Sequence, residues 1–318
     1  MKKKRALRTV VIILAVLLIL AAAAWILIRH FVGRTNYLRD SDVEVNEAAY
    51  ETERMTETEK RITPEDIYDI SGVSRITEEE AANTYTFLVV GGEKKVLPEE
   101  GQSEPLSDGA EAGTEAAPAD ETRPDAEAII IMTINHNTKE VIFYTFHTDL
   151  YVQIPDFGPG RLGNAYAVGG GPLLARTMAE NYGLPVEHYA TISLKDVAEV
   201  IGMPEFENLD ISNDGLVVVE ELVYSLGALQ PTQIAGYISK VLPFVTHNLT
   251  SEEMLHMLMQ IPRIVPYYGC KGKIPDEADA AAYTWQELDG YIVPDAQALS
   301  AFLKNRLYPQ VQENMTEQ

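Results

Sequence analysis

A single cysteine, Cys270, stands in 318 residues. That excludes an internal disulfide framework and any cysteine-built zinc or iron–sulfur centre. Histidine is almost as scarce, six residues with no H-x-x-x-H pair among them, so the helical zinc-hydrolase signature is missing. Positive charge is short too. Against 25 Lys and Arg stand 48 Asp and Glu, a formal net charge of −23. A nucleic-acid partner is excluded on this ground, because following a phosphate backbone takes a basic stripe. No G-x-S-x-G occurs, and no Ser/His/Asp constellation has motif support. A mean hydropathy of −0.09 rules out a polytopic membrane protein. The remaining composition, 46% hydrophobic and 23% charged, is that of a globular protein. The length suits one large domain or two small ones.

One long apolar run breaks this pattern. Residues 10–28 form 19 consecutive positions without a charge. As a helix they extend roughly 28 Å, close to the hydrocarbon thickness of a bilayer. Ala21 to Ala24 offer a small-residue cleavage site, so a removed signal peptide is one reading. An uncleaved anchor is preferred, because the run continues past the alanines through Trp25, Ile26, Leu27 and Ile28, and Trp25 suits the membrane interface. Lys2, Lys3, Lys4, Arg5 and Arg8 precede the run, while Arg29, Arg34 and Arg39 follow more sparsely. The positive-inside rule puts residues 1–9 in the cytoplasm and everything after the span outside. The expectation is a single-pass protein of a bacterial cell membrane.

Residues 35–128 carry 25 acidic and 8 basic side chains. Residues 29–83 read as an acidic stalk, with a helix start at Thr63 and Pro64. Residues 84–92 (TYTFLVVGG) read as a buried strand. Residues 98–125 hold almost no large apolar side chain and read as a disordered insertion or long loop. Two further buried strands, 128–134 and 141–146, flank the turn Asn135-His136-Asn137-Thr138-Lys139 as a hairpin. An extended piece covers 150–154. Gly169, Gly170, Gly171 and Pro172 lead into a helix through Glu180, with Gly183 as its C-cap. Ser193 caps a helix to Ile201. The last third reads mainly as helix, at 232–242, from a Thr250/Glu253 capping box to Gln260, and at 295–307, with one short strand at 291–294. The interleaving indicates one α/β domain over 84–310, a mixed central sheet flanked by helices.

Candidate sites are few. Gly169 to Gly171 could cradle a phosphate on backbone N–H groups, but no Lys or Ser/Thr follows at Walker spacing, and a tight turn is the plainer reading. The formal G-x-G-x-x-G from Gly158 to Gly163 follows no long buried strand and reads as a loop. The sequon at Asn248 reads as a helix start. Asp149 follows a buried strand, where α/β proteins place functional groups, though an isolated carboxylate there also serves as a turn or cap residue. Glu93 and Glu127 border strands and could share a hard cation such as Mg2+.

The run TINHNTKEVIFYTFHTDLYVQIPDFGPGRLGNAYAVGGGPLLARTMAENYGLPVEHYATISLKDVAEVIG, residues 133–202, resembles the core of the LytR-CpsA-Psr family. The family's S-x-P-R-D-like segment, Y-V-x-I-P and K-L-N-x-A-Y-x-x-G-G are matched by TFHTD (145–149), YVQIP (151–155) and RLGNAYAVGG (161–170). FLVVGGE (87–93) is similar to the preceding strand, which normally ends in G-x-D. The resemblance implies an αβα sandwich and a transferase that moves a glycopolymer from a polyprenyl-pyrophosphate carrier to peptidoglycan. The lipid lies in an apolar tunnel, Mg2+ sits at the pyrophosphate, and arginines neutralise it. Those charges suit phosphoryl transfer, which depends on stabilising spread negative charge.

This chain departs from the pattern where charge matters. Thr148 stands at the arginine of S-x-P-R-D, while the aspartate survives as Asp149. Asp125, Ala126 and Glu127 stand at the family's R-S-D, with Arg123 two residues away. Glu93 and Glu127 stand at the two metal-site aspartates. Residues 203–230, where further arginines are expected, contain no Arg or Lys. The resemblance therefore implies catalytic residues Asp149, Arg161 and Arg123, with Mg2+ on Glu93 and Glu127. Such a site lacks several charge-assisted contacts. Two readings follow, a transferase with a degraded catalytic site or a non-catalytic polyprenyl-lipid-binding or assembly partner in the cell wall.

Overall fold

The computed structural model describes residues 36–47, 68–92, 126–203, 210–229, 231–250, 252–254 and 267–309. The apolar run 10–28, the helix start at Thr63, the insertion 98–125 and most of the helix after Thr250 lie outside the described residues. Among the described residues no helix is long and apolar enough to cross a membrane.

The centre of the fold is set by three continuous apolar strings. These are β2 (Thr84–Gly91), β3 (Ala128–Asn135) and β4 (Glu140–Phe146), hydrogen-bonded side by side as antiparallel neighbours. Strands without polar alternation must be covered on both faces, and these are: Leu88, Ile129, Ile131 and Ile142 face one core, Phe87, Val89, Ile130 and Phe143 the other. The hairpin turn lies where the sequence places it. Asn135 accepts the N–H groups of Asn137 and Thr138 at 2.9 and 3.1 Å, and Lys139 takes the left-handed conformation.

Four more strands complete a mixed seven-stranded sheet. They are β1 (Asn36–Tyr37), β7 (His188–Ile192), β8 (Val245–His247) and β9 (Tyr268–Ile274), in the order β1-β8-β7-β2-β3-β4-β9. Two hairpins lie outside it, β5 (Tyr151–Ile154) with β6 (Gly158–Arg161), and β10 (Trp285–Leu288) with β11 (Tyr291–Pro294). Helices α1 (Leu162–Tyr182) and α5 (Ala296–Leu307) cover one face of the sheet. Helices α2 (Leu194–Ile201), α3 (Ile211–Ala228) and α4 (Pro231–Val241) belong to the other layer. This is the expected αβα sandwich. Asp295 caps α5 by accepting the Ala298 N–H at 3.0 Å, and Leu299 and Leu303 point inward as their spacing predicts. Thr250 and Glu253 form the predicted capping box, with reciprocal bonds of 2.8 and 3.3 Å.

Several expectations are corrected. The glycine triplet leads into a helix that ends at Gly183 as expected, but a helical segment from Leu162, absent from the sequence reading, precedes it across a kink at Gly169 and Gly170. Gly170 adopts φ 62, ψ −156, a conformation that belongs to glycine. Pro172 has no N–H to offer the Val168 carbonyl one turn back, and that carbonyl accepts the N–H of Asn46 at 2.6 Å. The G-x-G-x-x-G stretch is not a loop, since it forms β6 and the first turn of α1. Among the described residues of the last third helix outweighs strand as expected, in α3, α4 and α5, but β8, β9 and β10 are present beside the β11 that the sequence places. Helix α3 has no counterpart in the sequence reading. Parts of the acidic segment before residue 84 pack on the domain rather than standing off it. The Tyr189 hydroxyl donates to Asp40 at 3.1 Å, and buried Tyr68 donates to Asn181 at 2.9 Å. Asn248 is a structural link: its side chain accepts the Tyr189 N–H and donates to the Glu187 carbonyl.

Candidate functional site

Strand register brings the quoted motifs to one end of the sheet. Gly91 at the end of β2 lies opposite Ala128, where β3 begins, and Ile192, where β7 ends. Phe146 at the end of β4 lies opposite Ile129 and Ile274. The carboxyl ends of β2, β4, β7 and β9 therefore share one edge, the place where open α/β sheets bind ligands.

The segment after β4 crosses this edge and is fixed on three sides. The His147 N–H donates to the Ile274 carbonyl at 2.9 Å. The first two N–H groups of α1, on Leu162 and Gly163, donate to the carbonyls of Leu150 and Thr148 at 2.8 and 2.9 Å. Ile292 of β11 donates to the Asp149 carbonyl at 3.0 Å. Two of the donors that a helix head leaves unsatisfied are thus spent on this loop. A Cβ on Gly163 would come within 3.2 Å of the Thr148 Cβ, so the small residue lets the loop lie on the helix.

Side chains gather on that frame. Arg161, the N-cap of α1, places Nη1 3.4 Å from Asp149 Oδ1. Its guanidinium carbon stands 5.2 Å from the ring centre of Tyr291, a cation–π arrangement that holds the long side chain over β11. His147 Nδ1 accepts the Asp149 N–H at 3.2 Å and lies 3.8 Å from Asp149 Oδ2. All three polar side chains keep partial solvent access, 46% for His147, 37% for Asp149 and 43% for Arg161, so the group can meet a ligand without unpacking the core. On the other side of the end of β2, the Tyr166 hydroxyl donates to Thr191 Oγ1 at 3.3 Å. A Cβ on Gly92 would lie 4.0 Å from both residues.

Of the residues expected at the site, the structure brings Asp149 and Arg161 together. Glu127 stands at the same sheet edge, its N–H donating to the Gly91 carbonyl at 2.8 Å. Glu93 and Arg123 lie outside the described residues. No three His, Cys, Asp or Glu side chains converge to hold a metal among the described residues. The described donor set therefore does not form a cation site by itself, and no step is built on one. His147, Tyr291, Tyr166 and Thr191 were missed as site residues. His147 was in plain view within TFHTD, and its place beside the lost arginine was the available signal. Tyr291 lies over a hundred residues along the chain, with no motif to announce it.

The fold is an αβα sandwich with a carboxylate–guanidinium pair at the carboxyl ends of its strands. The LytR_cpsA_psr family model matches residues 42–203, about half of the chain and all of this strand–loop–helix unit up to α2. The chain belongs to the LytR-CpsA-Psr family. Over 104 residues it is 28% identical to the regulatory protein MsrR of Staphylococcus aureus, covering 32% of this chain and 31% of that one. Over 95 residues it is 30% identical to the polyisoprenyl-teichoic acid–peptidoglycan teichoic acid transferase TagU of Enterococcus faecalis, covering 28% of this chain and 31% of the transferase. The matched stretches span about a third of these relatives' lengths. Among solved structures, protein gbs0355 of Streptococcus agalactiae superposes with a TM-score of 0.51 at 12% identity, covering 74% of this chain and 91% of its own. TagV of Bacillus subtilis gives 0.50 at 13% identity, covering 72% and 99%. These two share the fold.

Proposed function

We propose that this protein is a membrane-anchored, extracytoplasmic member of its family that binds polyprenyl-pyrophosphate-linked glycopolymer and serves its transfer to peptidoglycan. The observation that carries the reading is the family match across the residues that build the Asp149–Arg161 site. The named activity of the Enterococcus relative supports the same chemistry. In the transfer, an acceptor hydroxyl attacks the phosphorus bearing the glycopolymer. The phosphoanhydride bond breaks, a phosphodiester forms, polyprenyl phosphate leaves, and the hydroxyl proton passes to a carboxylate, here Asp149. Arg161 offsets the charge that builds on the phosphate oxygens. Mg2+ held by Glu93 and Glu127 belongs to this reading, and when bound it supplies further charge neutralisation. Residues 10–28 form the anchor, with the domain outside.

A second reading is favoured by a specific observation. Thr148 replaces the family arginine, and Arg161 is already paired with Asp149. A site this short of cations among the described residues fits a protein that holds the lipid and assembles with partners while the transfer is weak or lost. One experiment separates the readings: full-length protein in detergent is given labelled polyprenyl-pyrophosphate glycopolymer and peptidoglycan. Binding with transfer supports the transferase, binding without transfer supports the assembly role, and no binding overturns both. Topology is checked on protoplasts, where added protease should digest the domain. A protected domain overturns the anchor orientation.

A further inference from the structure

We infer that a short tether to the anchor turns the carboxyl edge of the sheet, and with it the Asp149–Arg161 site, toward the outer leaflet of the membrane, which makes this edge the lipid-facing surface of the protein. The inference rests on the proposed anchor at residues 10–28 and adds how the domain sits above it.

Strand register fixes where the chain enters the fold. Asn36 of β1 lies opposite Thr246, Thr246 opposite Thr191, Thr191 opposite Val90, Val90 opposite Ile129, and Ile129 opposite Phe146. These residues form one row across the sheet, one step short of Gly91, where β2 ends. Tyr37 lies on the next row, through His247 and Ala190 to Val89. β1 therefore runs away from the carboxyl edge, and the chain before Asn36 arrives from that edge. Phe146 is the last residue of β4, and the loop that carries Asp149 leaves the sheet from it. Tether and site loop thus meet the sheet at the same edge. In the strand order β1-β8-β7-β2-β3-β4 they stand five strand spacings apart, or about 24 Å.

The tether is short because β1 and the residues after it are fastened to the domain. The Leu38 N–H donates to the His247 carbonyl at 2.9 Å, the Tyr189 hydroxyl to Asp40 at 3.1 Å, and the Asn46 N–H to the Val168 carbonyl at 2.6 Å. Seven residues, 29–35, separate Ile28 from Asn36. At full stretch, steps of at most about 3.6 Å carry the chain about 29 Å over that gap. β2 is eight residues long, so the sheet measures about 24 Å from its carboxyl edge to its amino edge. A domain with its amino edge toward the membrane would spend most of the tether running back past its own sheet. With the carboxyl edge toward the membrane, none is spent that way. Chain length therefore decides the orientation. It sets the part-exposed Asp149–Arg161 pair where the headgroup of a membrane lipid can meet it.

Two exposed residues report the orientation. Lys195 lies in the first turn of α2, just past the end of β7 at the carboxyl edge, and Glu79 lies in the turn before β2 at the amino edge. In a Cys270→Ser background, full-length protein with Lys195→Cys or Glu79→Cys is labelled with one fluorescent donor. It is reconstituted into phosphatidylcholine–phosphatidylglycerol liposomes that carry an acceptor-labelled lipid in both leaflets. Energy transfer to a plane of acceptors falls with the fourth power of height, so heights of about 29 and about 53 Å correspond to about a tenfold difference in rate. The donor at Lys195→Cys should transfer about tenfold faster than the donor at Glu79→Cys. A long Gly/Ser insertion after Gly33 frees the domain to turn and should bring the two rates together. If Cys270→Ser lowers the melting temperature, the donors are attached through azidophenylalanine at positions 195 and 79 of the otherwise unchanged chain. Equal rates, or faster transfer from position 79, overturn the orientation and leave the anchor standing. A rate ratio unchanged by the insertion overturns the tether as its cause. Protein that fails to float with the liposomes overturns the anchor and this inference together.

Discussion

Replacing Gly171 by alanine should destabilise the protein, although alanine is the better helix former by about 1 kcal/mol. The reason is Tyr189. A Cβ built on Gly171 falls 2.2 Å from Tyr189 Cδ2 and 2.4 Å from Cε2, the side of a ring rather than the tip of a flexible chain. Carbon atoms want roughly 3.5–4.0 Å, so the ring or the helix must move by more than 1 Å. The ring has little freedom. Tyr189 is 3% exposed in the core beneath α1, its hydroxyl donates to Asp40 at 3.1 Å, and its backbone is paired in β7. The helix is also held, because the Val168 carbonyl is bonded to Asn46. Forcing a methyl into a packed core costs about 1–3 kcal/mol, and the upper end applies where both sides are tied. With the helix gain subtracted, the net loss is about 2 kcal/mol, or roughly 4–8 °C in Tm for a domain of this size. Gly236 is the control. It lies exposed in α4 with nothing within 4 Å of an added Cβ, so Gly236→Ala should stabilise by about 0.5–1 kcal/mol. Urea unfolding of the wild type and both variants reads the two effects as midpoint shifts of opposite sign. A Gly171→Ala midpoint equal to or above that of the wild type would refute the packing argument.

Three further outcomes are expected. Arg161→Ala should weaken polyprenyl-pyrophosphate binding at least tenfold yet cost only about 1 kcal/mol of stability, because its ion pair and cation–π contact are both part-exposed; a large loss in urea midpoint with binding intact would make it a structural residue. Burial pushes the His247 imidazole below its ordinary value, so the unfolded chain takes the proton first. Stability should then decline as the pH drops below about 6.5, and urea midpoints at pH 7.5 and 5.5 should differ less for His247→Gln than for the wild type. Calorimetry with Mg2+ should separate the wild type from Glu93→Gln/Glu127→Gln, and superimposable titrations would remove both glutamates from any metal site.

The central sheet was legible because its strands are unbroken apolar strings, and burial on both faces is the only environment in which such strings are stable. The Asn135 turn, the Asp295 and Thr250 caps and the Gly183 terminus were legible for a similar reason: each is a short-range contact between residues a few positions apart. The motif run 133–202 gave the family through residue identity, and with it Asp149 and Arg161 as separate site residues; that the two meet is seen only in the structure. Other features depend on partners far along the chain. Gly169 to Pro172 look like the start of a helix because glycine and proline are local breakers. They do start one, and they also end the helical segment from Leu162, whose open Val168 carbonyl is taken by the Asn46 N–H, over a hundred residues earlier. The four-residue β6 exists because β5 pairs with it. Arg161 has a fixed direction because Tyr291 of β11 lies beneath it, and His147 faces Asp149 because Ile274, the head of α1 and Ile292 together pin their loop. Composition and spacing determined which segments had to be buried and which chemistry was present. Only the tertiary structure decided which charges meet, because the direction of a side chain is set by whatever packs against its backbone.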